Sequence, residues 1–206
     1  MPGPDLGFTH VFMPGDFEKP VLLLLHGTGG NEHDLLELGA AVTPGAALLS
    51  VRGKVLENNM PRFFKRLATG VFDLDDLQKN TEALATFITA AKEYYNLNDR
   101  PLFALGLSNG ANIAINILLR YPAALAGAIL LRPMLGMEPG ALPDLHGKPI
   151  LILSGLMDAI VPRDHPVQLE KIFSAAKADI RLIIKPAGHN LIQSDLDDMQ
   201  NWIAQH

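Results

Sequence analysis

Short apolar runs alternate along this chain with longer stretches in which apolar residues recur every three or four positions. Residues 21–25 (VLLLL) form an unbroken apolar run, the pattern of a strand buried on both faces. Residues 46–51, 102–106, 127–131, 150–153 and 180–184 read as further strands, and residues 8–13 (FTHVFM), closed by Pro14-Gly15, read as an edge strand. Between them, residues 31–42, 74–95, 109–120, about 164–176 and 192–205 carry helical spacing. Asn31 is the candidate N-cap of the first helix, and Leu77, Leu84, Phe87, Ile88 and Ala91 form the apolar stripe of the second. Strand alternating with helix predicts a mostly parallel central sheet with helices on both faces, a three-layer α/β sandwich. Residues 52–73 break the alternation with a long, irregular segment of polar and aromatic residues, and long loops of this kind are commonly functional. No repeat or linker divides the 206 residues, so a single domain over 1–206, without a separate lid domain, is expected.

Composition narrows the chemistry. Apolar residues make up 48% of the chain and charged residues 19%, a globular balance. The chain has no cysteine, which excludes disulfides, thiolate metal sites and a cysteine nucleophile. A net charge of −5 argues against a nucleic-acid partner. The basic-aromatic cluster Arg62-Phe63-Phe64-Lys65-Arg66 is short and isolated, and reads as a loop or pocket wall. The N-terminus lacks a basic region followed by an apolar one, and the apolar runs fall far short of the roughly 20 residues that span a bilayer. A cytoplasmic protein with no stable membrane insertion is expected. His10, His26, His33 and Asp34 match no metal-ligand spacing, so no metal site is expected.

One pentapeptide carries the chemistry. Gly106-Leu107-Ser108-Asn109-Gly110 is a G-x-S-x-G motif lying between an expected strand and an expected helix. A serine held clear of the backbone on such a turn crowds both neighbours, which glycines at these positions relieve. Serine is a weak nucleophile at neutral pH and needs a base, itself oriented by a carboxylate. On an open α/β sheet these partners belong in loops after the carboxyl ends of strands, in the order serine, acid, histidine. His189, in Pro186-Ala187-Gly188-His189-Asn190, follows the 180–184 strand and is the candidate base. His146 precedes a strand, and His165 sits at a helix start. Among Glu138, Asp144, Asp158, Asp164, Glu170 and Asp179, Asp158 is the candidate acid, because it follows the 150–153 strand among apolar neighbours. The backbone N–H of Asn109, together with that of Thr28 in the glycine-rich Leu25-His26-Gly27-Thr28-Gly29-Gly30, is the expected oxyanion donor pair. That glycine loop matches neither G-x-G-x-x-G nor G-K-[ST], which speaks against a nucleotide site. His26 reads as a structural residue beneath the loop. Met60, Phe63, Phe64, Met134 and Leu135 either line an acyl pocket or pack as core. Arg52 and Arg132 either bind a substrate carboxylate or brace loops.

These residues resemble the α/β-hydrolase superfamily, and within it the small bacterial carboxylesterase/phospholipase group related to acyl-protein thioesterases. The likeness runs from about residue 20 to 203. It rests on the segment from Leu24 to Asp34, on Gly106 to Asn112, on Asp158 with Val161-Pro162, and on Gly188-His189. Arg52-Gly53-Lys54 and Pro61-Arg62-Phe63-Phe64 also resemble the variable pocket loop of one subgroup, whose members often carry names linked to hydroquinone or quinone stress. Asn109 stands where acyl-protein thioesterases typically carry glutamine, a departure that bears on the substrate and not on the triad. The resemblance implies a cofactor-free serine hydrolase of small or short-chain carboxylic esters. The alternatives are a thioesterase or lysophospholipase on the same triad, or a non-catalytic ligand-binding domain. A small-molecule ester is the expected partner, and a homodimer stays open.

Overall fold

The apolar runs become one seven-stranded sheet, and the alternation of side chains along them splits the core in two. The computed structural model describes residues 4–68, 70–136 and 140–206. In chain order the elements are β1 (His10–Met13), β2 (Val21–Leu25), α1 (Leu36–Val42), β3 (Ala47–Val51), β4 (Val55–Glu57), β5 (Met60–Arg62), β6 (Arg66–Ala68), β7 (Val71–Phe72), α2 (Leu74–Tyr94), β8 (Leu102–Leu107), α3 (Asn109–Arg120), β9 (Gly127–Leu131), β10 (Pro149–Gly155), α4 (His165–Ala175), β11 (Asp179–Lys185) and α5 (Gln193–Ile203). The sheet order is β1-β3-β2-β8-β9-β10-β11; β1 pairs antiparallel at one edge and the other pairings are parallel.

Because side chains alternate across a strand, Val21, Leu23 and Leu25 point into one core with Leu84, Phe87 and Ile88 of α2, Ile113 and Ile117 of α3, and Leu169 and Phe173 of α4. Leu22 and Leu24 point into the other, with Val42 of α1 and Met199, Trp202 and Ile203 of α5. This is the three-layer arrangement the pattern predicts. Fully buried strands β2, β3 and β9 account for the unbroken apolar runs.

The strand order reverses between β2 and β8. From β2 the chain moves outward to β3, and from β8 it moves the other way to β9, β10 and β11. The register places Leu25 beside Gly106, so the loops leaving β2 and β8 start side by side at this switch point, where open α/β sheets bind their ligands.

Two expectations need correction. The first helix begins at Leu36 and not at Asn31, because the Asn31 Oδ1 accepts from the His33 N–H two residues on and closes a turn instead. The 52–73 segment is not irregular. It contains two short antiparallel hairpins, β4–β5 and β6–β7. The Asn58-Asn59 turn of the first has both residues in the left-handed region, at φ 51° and 62°, the geometry asparagine tolerates best. Among the described residues, no helix is long and apolar enough to cross a membrane.

Candidate active site

Ser108 sits between β8 and α3 with φ 51° and ψ −110°, a strained conformation for a residue with a side chain. The flanking glycines are required by space. A Cβ on Gly110 would stand 2.0 Å from the Leu25 carbonyl oxygen, and one on Gly106 would stand 2.7 Å from the Ala111 nitrogen. The turn is pressed onto β2 from one side and onto the first turn of α3 from the other. Ser108 precedes the first residue of α3, so the positive end of that helix's dipole faces the hydroxyl.

The structure brings Asp158, His189 and Ser108 into one hydrogen-bonded line. Asp158 follows β10, and its side chain is only 1% exposed. Its Oδ1 accepts from the Ile160 and Val161 N–H groups at 2.8 and 3.1 Å. Its Oδ2 lies 2.8 Å from His189 Nδ1, and His189 Nε2 lies 3.0 Å from Ser108 Oγ. Burial acts to raise the Asp158 carboxyl, but the Ile160 amide, the His189 ring and the Val161 amide outweigh it and hold it below its ordinary 3.8. The group is therefore a carboxylate near neutrality and only accepts. That fixes the tautomer: Nδ1 carries the proton and donates to Asp158, leaving Nε2 to accept from the serine hydroxyl.

The loop carrying His189 is held from below by Arg132, and here the structure decides between the two sequence readings. The Arg132 side chain is fully buried and does not face a substrate site. Its Nε donates to the Gly188 carbonyl at 3.1 Å and its Nη2 to the Asn190 carbonyl at 3.1 Å, the residues on either side of the histidine. Its Nη2 also pairs with Asp195 Oδ2 at 2.6 Å, and Asp195 in turn accepts from the Ile192 N–H at the start of α5. Arg52 braces as well: its Nη2 donates to Glu32 at 2.8 Å.

The remaining candidates separate. Thr28 is exposed on the loop after β2, and among the described residues neither its N–H nor that of Asn109 finds an intramolecular acceptor. Met60 is 39% exposed and packs beside Gly29. Phe63 and Phe64 are buried, against the His26 and Phe72 rings respectively, and serve as core. Met134 and Leu135 border a cavity along α3 with Asn112, Asn116 and Leu119, whose lining includes none of Ser108, Asp158 and His189. His26 Nε2 accepts from the Gly53 N–H at 3.0 Å, a structural bond beneath the glycine loop. His165 accepts from the Leu135 N–H, His146 is exposed before β10, and Asp144 and Asp164 bond to Lys177 and Gln168. Glu138 lies outside the described residues. Sequence reading missed Asp195 and Glu32, whose partners are distant in the chain; only the position of Asp195 in the first turn of the last helix hinted at a buried cap. Among the described residues, no group of three or more His, Asp or Glu side chains is placed to hold a metal ion.

Burial pushes both His26 and His165 below the ordinary 6.5. A group depressed in the folded state takes up protons more readily when unfolded, so the stability it contributes is present above the ordinary value and is lost as pH falls. The urea midpoint is therefore expected to drop between about pH 7.5 and pH 5, with a smaller drop in His165→Gln. Equal drops in the two proteins would remove His165 from this account.

A family model described as "Serine aminopeptidase, S33" matches residues 68–148. A Bacillus subtilis (strain 168) protein described as "Putative hydrolase MhqD" is 44% identical over 196 residues, covering 95% of this chain and 98% of that protein. The crystal structure of the Bacillus cereus carboxylesterase superposes with a TM-score of 0.95 at 42% identity, over 98% of this chain and 95% of that one. A carboxylesterase from Mesorhizobium loti gives 0.91 at 30% identity, over 98% and 97%. The chain thus belongs to the α/β-hydrolase superfamily, in the group of small bacterial carboxylesterases, and is a hydrolase.

Proposed function

We propose that the chain hydrolyses small carboxylic esters through an acyl-enzyme on Ser108. The observation that carries this reading is the hydrogen-bonded line from Asp158 through His189 to Ser108 Oγ. As Oγ attacks the acyl carbon, His189 Nε2 takes the hydroxyl proton and Asp158 stabilises the resulting imidazolium. The carbonyl oxygen becomes an oxyanion beside the N–H groups of Thr28 and Asn109, at the positive end of α3. His189 returns the proton to the departing alcohol oxygen as the C–O bond breaks. Water then gives His189 a proton and attacks the acyl-enzyme, and the proton passes to Ser108 Oγ as the acid leaves. No step draws on a cofactor.

The test is covalent labelling by a fluorophosphonate, with mass spectrometry locating the adduct, and turnover of p-nitrophenyl esters of graded acyl length. Stoichiometric modification of Ser108 with highest kcat/KM on short acyl chains is expected. Failure to label would overturn the acyl-enzyme. A strong preference for long acyl chains or thioesters would overturn the short-ester substrate while leaving the mechanism intact.

A further inference from the structure

Three consecutive residues of the β4–β5 hairpin and its exit touch both halves of the site that would hold the oxyanion. The Pro61 carbonyl accepts from the Gly29 N–H at 2.9 Å. Arg62 Nη1 donates to Thr28 Oγ1 at 2.9 Å. The Phe63 N–H donates to Asn109 Oδ1 at 2.7 Å. The hairpin is itself fixed. Arg62 is 4% exposed, its Nε donates to the Phe64 carbonyl at 3.1 Å and lies 3.2 Å from Glu57, and the Phe63 ring packs 4.8 Å from that of His26.

Thr28 is held at its backbone and at its side chain by different partners. It is exposed, it follows Gly27, and it precedes Gly29 at φ +85° and Gly30. The peptide that carries its N–H is held at the Gly27 carbonyl, which accepts from His26 Nδ1 at 2.6 Å and from the Gly30 N–H at 3.1 Å, and an N–H serves an oxyanion well only when it is oriented beforehand. A planar, buried guanidinium is suited to fixing the side-chain end of this exposed residue, because it holds its geometry with little further loss of entropy. Asn109 is tied to the same strut by its acceptor atom: Oδ1 takes the Phe63 N–H, while among the described residues the buried Nδ2 finds no partner.

We infer that residues 61–63 act as a spacer that sets the separation and direction of the Thr28 and Asn109 amides, with Arg62 as a positioning residue acting through Thr28 Oγ1. This rests on the oxyanion role proposed above for those two amides.

The experiment compares full-length wild type with Thr28→Val, Thr28→Ser, Arg62→Met and the Thr28→Val/Arg62→Met double variant. In Arg62→Met, Glu57 keeps its pairing with Arg66 at 2.7 Å and is not left as an orphan charge. Fluorophosphonate titration run to completion counts competent Ser108, so misfolding lowers the titre and not the rate per site. Thr28→Val and Arg62→Met are each expected to lower kcat per titrated site roughly 10- to 100-fold with KM changed less than about threefold, as for a misplaced catalytic group. The double variant falls no further than the worse single one, and Thr28→Ser, which keeps Oγ, restores most of the loss. Inhibition by a trifluoromethyl ketone, whose bound hemiketal carries the oxyanion, weakens in proportion to kcat/KM. Wild-type kcat per site in Thr28→Val would overturn the inference, even if Arg62→Met fails to fold, and Ser108 labelling would still support the esterase. Absence of labelling in wild type would remove both.

Discussion

Ser108→Ala is expected to lower kcat for a small carboxylic ester about a millionfold. In the proposed mechanism the Ser108 hydroxyl forms the acyl bond, and its proton is the one that His189 Nε2 is placed to take. His189→Ala is expected to cost about as much, because a serine whose proton has no acceptor at 3.0 Å remains a neutral alcohol. Asp158→Asn is expected to cost about 10⁴-fold, since an amide in place of the carboxylate favours the wrong imidazole tautomer. The informative measurement is the Ser108→Ala/His189→Ala double variant. If the two act as one unit, its kcat equals that of the worse single variant. A double variant whose loss approaches the product of the single losses would show that serine and histidine act independently, and the acyl-enzyme mechanism would fall.

The largest effect on stability is expected at Arg132. Its guanidinium and the Asp195 carboxylate are both fully buried and paired at 2.6 Å. Removing Arg132 leaves the buried Asp195 carboxylate with only Lys185 Nζ, at the longer distance of 3.9 Å, and breaking a buried pair costs about 3–5 kcal/mol. Arg132→Leu should lower the free energy of unfolding by that amount in urea titrations followed by circular dichroism. It would also leave the carbonyls of Gly188 and Asn190 without their donor. Arg132→Leu/Asp195→Leu removes that carboxylate as well and should recover part of the loss. It should not recover all of it, because the orphaned carbonyls remain. Full recovery would mean that the charge pair alone matters. A loss below about 1 kcal/mol in the single variant, the scale of an exposed ion pair, would mean that water reaches the site.

The contrast between Ser108 and Arg132 shows what the chain discloses about itself. Ser108 announces its place because the elbow needs a specific local spacing of glycines, and both the β8 strand and the α3 helix around it are legible in the hydrophobic period. The strands were readable for the same reason: residues 21–25 are apolar throughout because two layers of helices cover both faces. What stayed hidden depends on pairs far apart in sequence. Arg132 and Asp195 are 63 residues apart, Asn109 and Phe63 are 46 apart, and Arg62 and Thr28 are 34 apart. No local rule links them. The hairpins within 52–73 escaped because their strands are two or three residues long, too short to show a period, although Asn58-Asn59 is a turn signal in its own right. Phe63 and Phe64 illustrate a further limit: an aromatic residue in a polar loop reads equally as pocket wall or as core, and only the ring it meets decides.

The placement of the base has a consequence for how the protein wears out. Ser108 and Asp158 follow β8 and β10, which have neighbours on both sides, whereas His189 follows β11, an edge strand with one neighbour and a half-open face. Edge segments open to solvent exchange at a lower free energy than the interior of a sheet. A brief detachment of β11 would carry the imidazole away while β2, β8 and β9 stayed packed. On the proposed mechanism, activity is therefore expected to fade before the fold does, with Arg132 fastening the margin that opens first.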